Sequence, residues 1–179
     1  MAKAEIESYV FSKISRPGCD SERIQYVREQ VFPSLFEDVG QDAVWKLANE
    51  FYSRIYSDSF MIEIFAASTK DEAIQNQFEF LVQLFGGPKM YASRKGKYTR
   101  LVSRHAAYQI TEAHAVRWLL HMESALNTIP AFSSDEFRFR ALMDYFSYTA
   151  YWIVFGVQQG YVNRGQPSGA TTIDSGRNW

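Results

Sequence analysis

Apolar positions recur along most of the chain at helical spacing, and no convincing run of period-2 alternation interrupts them. From about Asp42 to Ser57, Val44, Leu47, Ala48, Phe51 and Ile55 fall on one helical face, with Trp45, Tyr52 and Tyr56 on a second, aromatic face beside it. A helix apolar on two faces is expected to be deeply embedded. The stretch 58–68 is too short for another long helix, so Phe60, Ile62, Ile64 and Phe65 are expected to turn inward there. The next helix is predicted over 70–85, opened by the capping-box spacing of Thr69 and Glu72. Ile74, Phe78, Leu81, Val82 and Phe85 form one of its stripes; Ala73, Gln77, Phe80 and Leu84 form another. Gln77 is the odd member, because a buried amide left unpaired costs roughly 1–3 kcal/mol. Gly86-Gly87-Pro88 ends the helix: a glycine can take the left-handed cap and proline cannot continue it.

A third helix is predicted over 111–128, started by Thr111 and ended near Pro130, and a fourth over 134–158, with Ser133 and Glu136 as a capping box. Ala141, Leu142, Tyr145, Thr149, Trp152 and Ile153 mark its core face. From Tyr145 onward it is apolar nearly all round and should lie centrally, with Asp144 expected at the surface. Residues 1–34 read as an extension of short helices broken at Pro17-Gly18, with Asp20 or Ser21 capping a helix over 21–32. Residues 160–179, rich in glycine, read as a flexible C-terminal tail. The expected fold is all-α: an N-terminal helical extension over 1–34, one domain over 35–159, and the tail 160–179.

Composition narrows this picture. Fourteen Phe, 11 Tyr and 4 Trp in 179 residues suggest a core lined with rings. The single Cys19 excludes an internal disulfide or a thiolate cluster. A net charge of −1 argues against a polyanion binder, and no nucleic-acid partner is expected. No export signal is visible, and Phe146–Val157 is short of the roughly 18 residues that span a bilayer. The expectation is a cytoplasmic protein without membrane association.

The candidate chemistry is sparse. HExxH, CxxC, GxGxxG and GxxxxGK[ST] are absent. His114, Trp118 and His121 share a helix face, but no third ligand accompanies the two histidines, which read as solvent-side or interface residues. His105, read alone, is a helix-end histidine. Residues 89–104 carry Lys89, Arg94, Lys95, Lys97, Arg100 and Arg104 without an acid. They read as a solvated loop entering a short helix, as a nucleic-acid patch interleaved with Tyr91 and Tyr98, or as a clamp for the carboxylates of an organic cofactor.

The joint pattern goes further. Phe51-Tyr52, Phe65, Gln77-Phe78-Glu79-Phe80, Gly86-Gly87-Pro88, Tyr91, Arg94-Lys95-Gly96, Arg104-His105 and Trp118 occur in that order, with 13 residues from Tyr52 to Phe65 and 13 from His105 to Trp118. Over about residues 35–157 this resembles the truncated (two-over-two) haemoglobins of group II, in the branch found in plants; DEAIQNQFEFLVQ followed by GGP is especially close. The resemblance implies a truncated globin-like two-over-two helical sandwich binding haem b, with iron ligated by His105. It implies Tyr52, Gln77 and Trp118 as distal polar groups. Ala73 would stand where many globins carry a distal histidine. Phe65 would pack on the haem plane, with Phe80 and Leu81 lining the distal wall. A cation among Arg94, Lys95, Arg100 and Arg104 would meet the propionates. A phenol, an amide and an indole converging on a bound gas would act as a preorganised hydrogen-bonding site.

The implied function is reversible binding of O2, with NO and CO, by a polar distal pocket suited to slow release, oxygen transport, NO/O2 redox chemistry or sensing. NO dioxygenase or peroxidase-like activity and a reductase partner follow the same resemblance, as a monomer or homodimer. Two positions depart from the family pattern: Gly40-Gln41 replaces a Gly-Gly pair, and the loop from Gly96 to His105 is one residue longer, with Lys97-Tyr98 replacing His-Pro. The alternative function class is a haem-free globin-like interaction module using the basic face 89–104.

Overall fold

A computed structural model describes residues 3–65, 68–95, 105 and 108–159. Four long helices make its frame: α4 (Gln41–Ile55), α5 (Lys70–Leu84), α7 (Glu112–Asn127) and α9 (Glu136–Gln158). α4 packs on α5, α7 packs on α9, and α4 also crosses α7, so one helix pair lies over the other. Between and before them come α1 (Lys3–Lys13), α2 (Ser21–Tyr26), a π-turn (Val27–Val31), α3 (Phe32–Val39), a 3-10 turn (Ile62–Ile64), α6 (Met90–Lys95) and α8 (Pro130–Ser133). The all-α two-over-two expectation is met.

The local signals explain the ends. Thr69 Oγ1 accepts the Glu72 N–H and the Glu72 carboxylate accepts the Thr69 N–H, closing the capping box of α5. Thr111 caps α7 by accepting the His114 N–H. α9 differs from expectation: its cap is Asp135, whose carboxylate accepts the Arg138 N–H. Gly40 takes φ 79° between α3 and α4, so the lone glycine of Gly40-Gln41 makes the turn. Gly86 has φ 85°, and a Cβ there would collide with the Pro33 backbone; the Phe36 N–H donates to the Phe85 carbonyl at 2.7 Å. The Gly86-Gly87-Pro88 segment thus seats the end of α5 against α3.

Three sequence expectations are corrected. Trp45 is 42% exposed and meets Phe78 edge-on, so the aromatic face of α4 is not buried throughout. Phe60 does not turn inward: it is 43% exposed and stacks on the His114 ring at 4.4 Å. Asp144 is not on the surface but 1% exposed. Arg16 Nε donates to its Oδ1 at 2.9 Å and Arg23 Nε to its Oδ2 at 3.0 Å, so its burial comes from the extension.

The extension is an integral layer. Ile6, Val10 and Ile14 of α1 and its following turn are buried with Ile110, Ala115, Tyr151, Val154 and Phe155. Tyr9 Oη donates to Glu112 at 2.8 Å, and Lys13 pairs with the same carboxylate at 2.9 Å. The tail 160–179 lies outside the described residues. Among the described residues, no helix is long and apolar enough to cross a membrane.

Candidate functional site

The middle of α4 and the middle of α7 face each other through rings. Phe51 is fully buried, and its ring lies 5.0 Å from Tyr52 and 4.9 Å from Trp118. Tyr52 in turn meets the edge of Phe65 at 5.6 Å and of Tyr56 at 6.1 Å. Trp118 continues the train to Phe146 of α9 at 5.8 Å. Three of the residues expected to serve one site, Tyr52, Phe65 and Trp118, therefore belong to one aromatic assembly. Its spacing follows from two helices packing with large rings in register.

Tyr52 is buried, and burial pushes its phenol pKa up, so it stays a neutral donor across the physiological range. Phe65, Phe80 and Trp118 are half-buried, packed against the main core on one side. Phe80 meets Tyr91 of α6 edge-on at 5.6 Å. Gln77 is half-buried on α5 and Ala73 is buried one turn before it. Leu81 is fully buried within the core, so Phe80 is the member of that pair that offers surface. His105 is half-buried in helical backbone, and its carbonyl accepts the Tyr108 N–H at 3.0 Å. Arg104 and Arg100 lie outside the described residues.

Arg94 has a partner that the sequence did not suggest. Glu79 is only 6% exposed; Arg94 Nη2 lies 2.7 Å from its Oε2, and Gln75 Nε2 donates to its Oε1 at 2.8 Å. Burial disfavours the Glu79 charge, but the bonds from Arg94 and Gln75 outweigh it and hold the carboxyl below its ordinary range. Arg94 also reaches Asn76, and with Lys95 it borders a groove of about 300 Å3 between α5 and α6. The basic run is thus anchored on α5 at its N-terminal end.

A second cluster escaped the sequence reading. Asp58, just past α4, accepts from Arg117 Nε at 2.5 Å and His121 Nε2 at 2.6 Å, with the Phe60 N–H at 3.0 Å. The Arg117 and His121 bonds hold its carboxyl well below the usual carboxylate range. The available signal was the four-residue separation of Arg117 and His121, which puts both on one helical face where a single carboxylate can bridge them.

With this geometry in place, the relatives become informative. The sequence matches the bacterial-like globins over residues 34–152. The chain belongs to that family. It is 42% identical over 127 residues to group 2 truncated haemoglobin 3-1 of Lotus japonicus, covering 70% of this chain and 74% of that protein. It is 38% identical over 125 residues to two-on-two haemoglobin-3 of Arabidopsis thaliana, covering 69% and 70% of the two chains. Among solved structures it is similar to a thermostable haemoglobin from Thermobifida fusca, with a TM-score of 0.59 and 31% identity over 67% of this chain and 95% of that one. It is also similar to the truncated oxygen-avid haemoglobin of Bacillus subtilis, with a TM-score of 0.60 and 28% identity over 67% and 98% of the chains. The match to group 2 relatives, plant proteins among them, agrees with the resemblance read from the motifs.

This globin is accordingly a haem protein whose ligands are diatomic gases such as O2. Its own residues fit the cofactor. A flat apolar macrocycle needs ring and aliphatic walls, which half-buried Phe65, Phe80 and Trp118 offer. Its iron needs an imidazole, and His105 is a half-buried histidine on a different segment from the phenol of Tyr52. Of the other two histidines, His114 meets Thr111 and Phe60, and His121 meets Asp58.

Proposed function

We propose that residues 35–159 form the haem domain of this globin, with His105 as the iron ligand and Tyr52, Gln77 and Trp118 as the groups that control the bound gas. When bound, haem supplies the iron at which O2, NO or CO is held. The rest is the work of the chain. Phe65 and Phe80 exclude water from the faces of the macrocycle, and buried Ala73 leaves the approach unobstructed. Tyr52, Gln77 and Trp118 contribute a phenol, an amide and an indole, all neutral donors. Fixed donors around a ligand that draws negative charge stabilise it without reorganisation. The observation that carries this reading is the ring train joining buried Tyr52 to Trp118 through Phe51, which fixes two of the three donors relative to each other.

Slow ligand release follows, and with it a role in oxygen binding, NO/O2 redox chemistry or sensing. A reductase is the partner such chemistry requires, and a cytoplasmic location suits it. Arg94 shares its guanidinium with Glu79, and Lys95, its neighbour on the same groove, is the second cation placed to meet the propionate edge. The deciding experiment is the visible spectrum of the ferrous protein in three variants. His105→Ala should lose the Soret band or hold haem weakly, while His114→Ala and His121→Ala keep it. The reverse pattern would remove His105 from the site.

A further inference from the structure

At the corner where α4 ends against α7 lies a pocket of about 360 Å3, lined by Arg54, Ser57, Asp58, Ser59, Arg117 and His121. Its hydrogen-bonding groups do not balance. The buried acceptor, Asp58, is already engaged: Oδ1 takes the Phe60 N–H, and Oδ2 takes both Arg117 Nε and His121 Nε2. Donors remain. Arg54 Nε is shielded from water and has no acceptor among the described residues, and Arg54 Nη2 stands 3.7 Å from Glu50, a loose tether on a half-exposed acid. The Arg117 side chain is 51% exposed beyond its Nε bond, leaving the outer fork of its guanidinium at the surface. Buried N–H groups without acceptors are rare in native proteins and point to a water or ion as the missing partner.

Charge gives the sign of that partner. Two guanidiniums line the pocket against one buried carboxylate, so the lining carries an excess of positive charge and of donors. Guanidiniums present paired N–H groups that match two oxygens of one centre, and a tetrahedral oxyanion has enough oxygens for both arginines and a serine hydroxyl. We propose that this pocket binds an oxyanion of the phosphate class, free or as a phosphomonoester, with Arg54 and Arg117 as its ligating side chains and the Ser59 hydroxyl as a further donor. Asp58 holds Arg117 by Nε alone, so its role is to orient Arg117 and His121 while the other N–H groups of that guanidinium serve the anion. Binding turns the Arg54 guanidinium away from Glu50 and gives its unmatched N–H an acceptor.

The test uses the full-length haem-loaded chain in chloride buffer at constant ionic strength, titrated calorimetrically with inorganic phosphate and, separately, with glycerol phosphate. One saturable site is expected. Tighter binding of glycerol phosphate assigns the site to phosphomonoesters, and equal binding assigns it to the phosphate group alone. Arg54→Met keeps the apolar stem and should weaken binding about tenfold or more, the effect of losing a charge-assisted bond. Lys46→Gln, on an exposed position of the same helix, should leave it unchanged. In the unmodified chain, phosphate should shift backbone amide resonances around 54–60 and 117–121. Absence of saturation with either titrant would overturn the proposal and leave water as the partner of Arg54. So would equal affinity in Arg54→Met, an equal loss in Lys46→Gln, or amide shifts spread over the whole surface.

Discussion

Asp144 and Asp58 are both buried carboxylates, each bridging two basic side chains, yet they hold different parts of the molecule. Asp144 takes Arg16 and Arg23, separated from it by 128 and 121 residues in sequence. Arg16 is pinned further by the Met143 carbonyl at 2.7 Å and the Ser147 hydroxyl at 2.5 Å. That cluster ties the extension to α9. Asp58 takes Arg117 and His121, which stand on either side of Trp118 along α7. That cluster ties the end of α4, the helix of Tyr52, to the helix of Trp118. Burying a charge is unfavourable unless it is paired, so such bridges specify where elements dock more than they add net stability. One bridge holds the N-terminal layer on α9, and the other holds the helix of Tyr52 against the helix of Trp118.

Breaking the Asp144 bridge should give the largest effect. Asp144→Ala leaves Arg16 and Arg23 without their acceptor in a buried setting, and it should cost about 3 kcal/mol; this is the lower end of the range because Arg16 is 34% exposed and can turn to water. Denaturant midpoints with and without the substitution measure it. Deleting residues 1–34 should also destabilise the protein, because it strips α1 from Ile110, Ala115, Tyr151, Val154 and Phe155 and leaves Asp144 unpaired. In that shortened chain Asp144→Leu should recover part of the loss, since it removes an uncompensated charge. An unchanged melting temperature after deletion would mean that the extension covers the core without stabilising it.

The proposed distal groups answer to a different readout. Tyr52→Phe keeps the ring in the train from Phe65 to Trp118 and removes one donor. A hydrogen bond to a ligand carrying charge is worth roughly 1.5–3 kcal/mol, so O2 release should speed by about 10- to 100-fold. CO draws less charge and should respond much less. Stopped-flow release of both gases tests this. Equal changes for O2 and CO would mean that Tyr52 acts by shape alone.

The four long helices were legible because each carries a periodic apolar stripe longer than its competing signals, with Thr69 and Thr111 marking starts by local hydrogen bonds. The family was legible because the motif residues hold their order and spacing along the chain. What failed was whatever depends on partners distant in sequence. Asp144 looks like a surface acid within its own helix, and only the fold brings Arg16 and Arg23 to it. Phe60 looks like core because it is aromatic, but its neighbour Asp58 turns the backbone and leaves the ring against His114. The engagement of Arg94 by Glu79 was hidden for the same reason, since a 15-residue separation across a turn has no periodic signature.

The smallest effect is predicted at Asp58, and it should fade in acid. Its ordinary carboxyl pKa of 3.8 is lowered in the folded protein by Arg117 and His121. The unfolded chain therefore binds the proton more readily than the folded one. The sign follows: the contribution is fully present above the ordinary value and is lost as pH falls from there through the lowered folded value. Asp58→Asn removes the charge at every pH, so the variant should be less stable than the parent at neutral pH, and the two stabilities should converge as pH drops below about 4. Asparagine retains an oxygen for the Phe60 N–H, so the turn after α4 survives and the difference isolates the charge. Urea unfolding of both proteins at several pH values below neutral measures the gap. A gap that stays constant into acid would mean that Asp58 holds α4 against α7 by shape and neutral hydrogen bonds, and its likeness to Asp144 would end at burial.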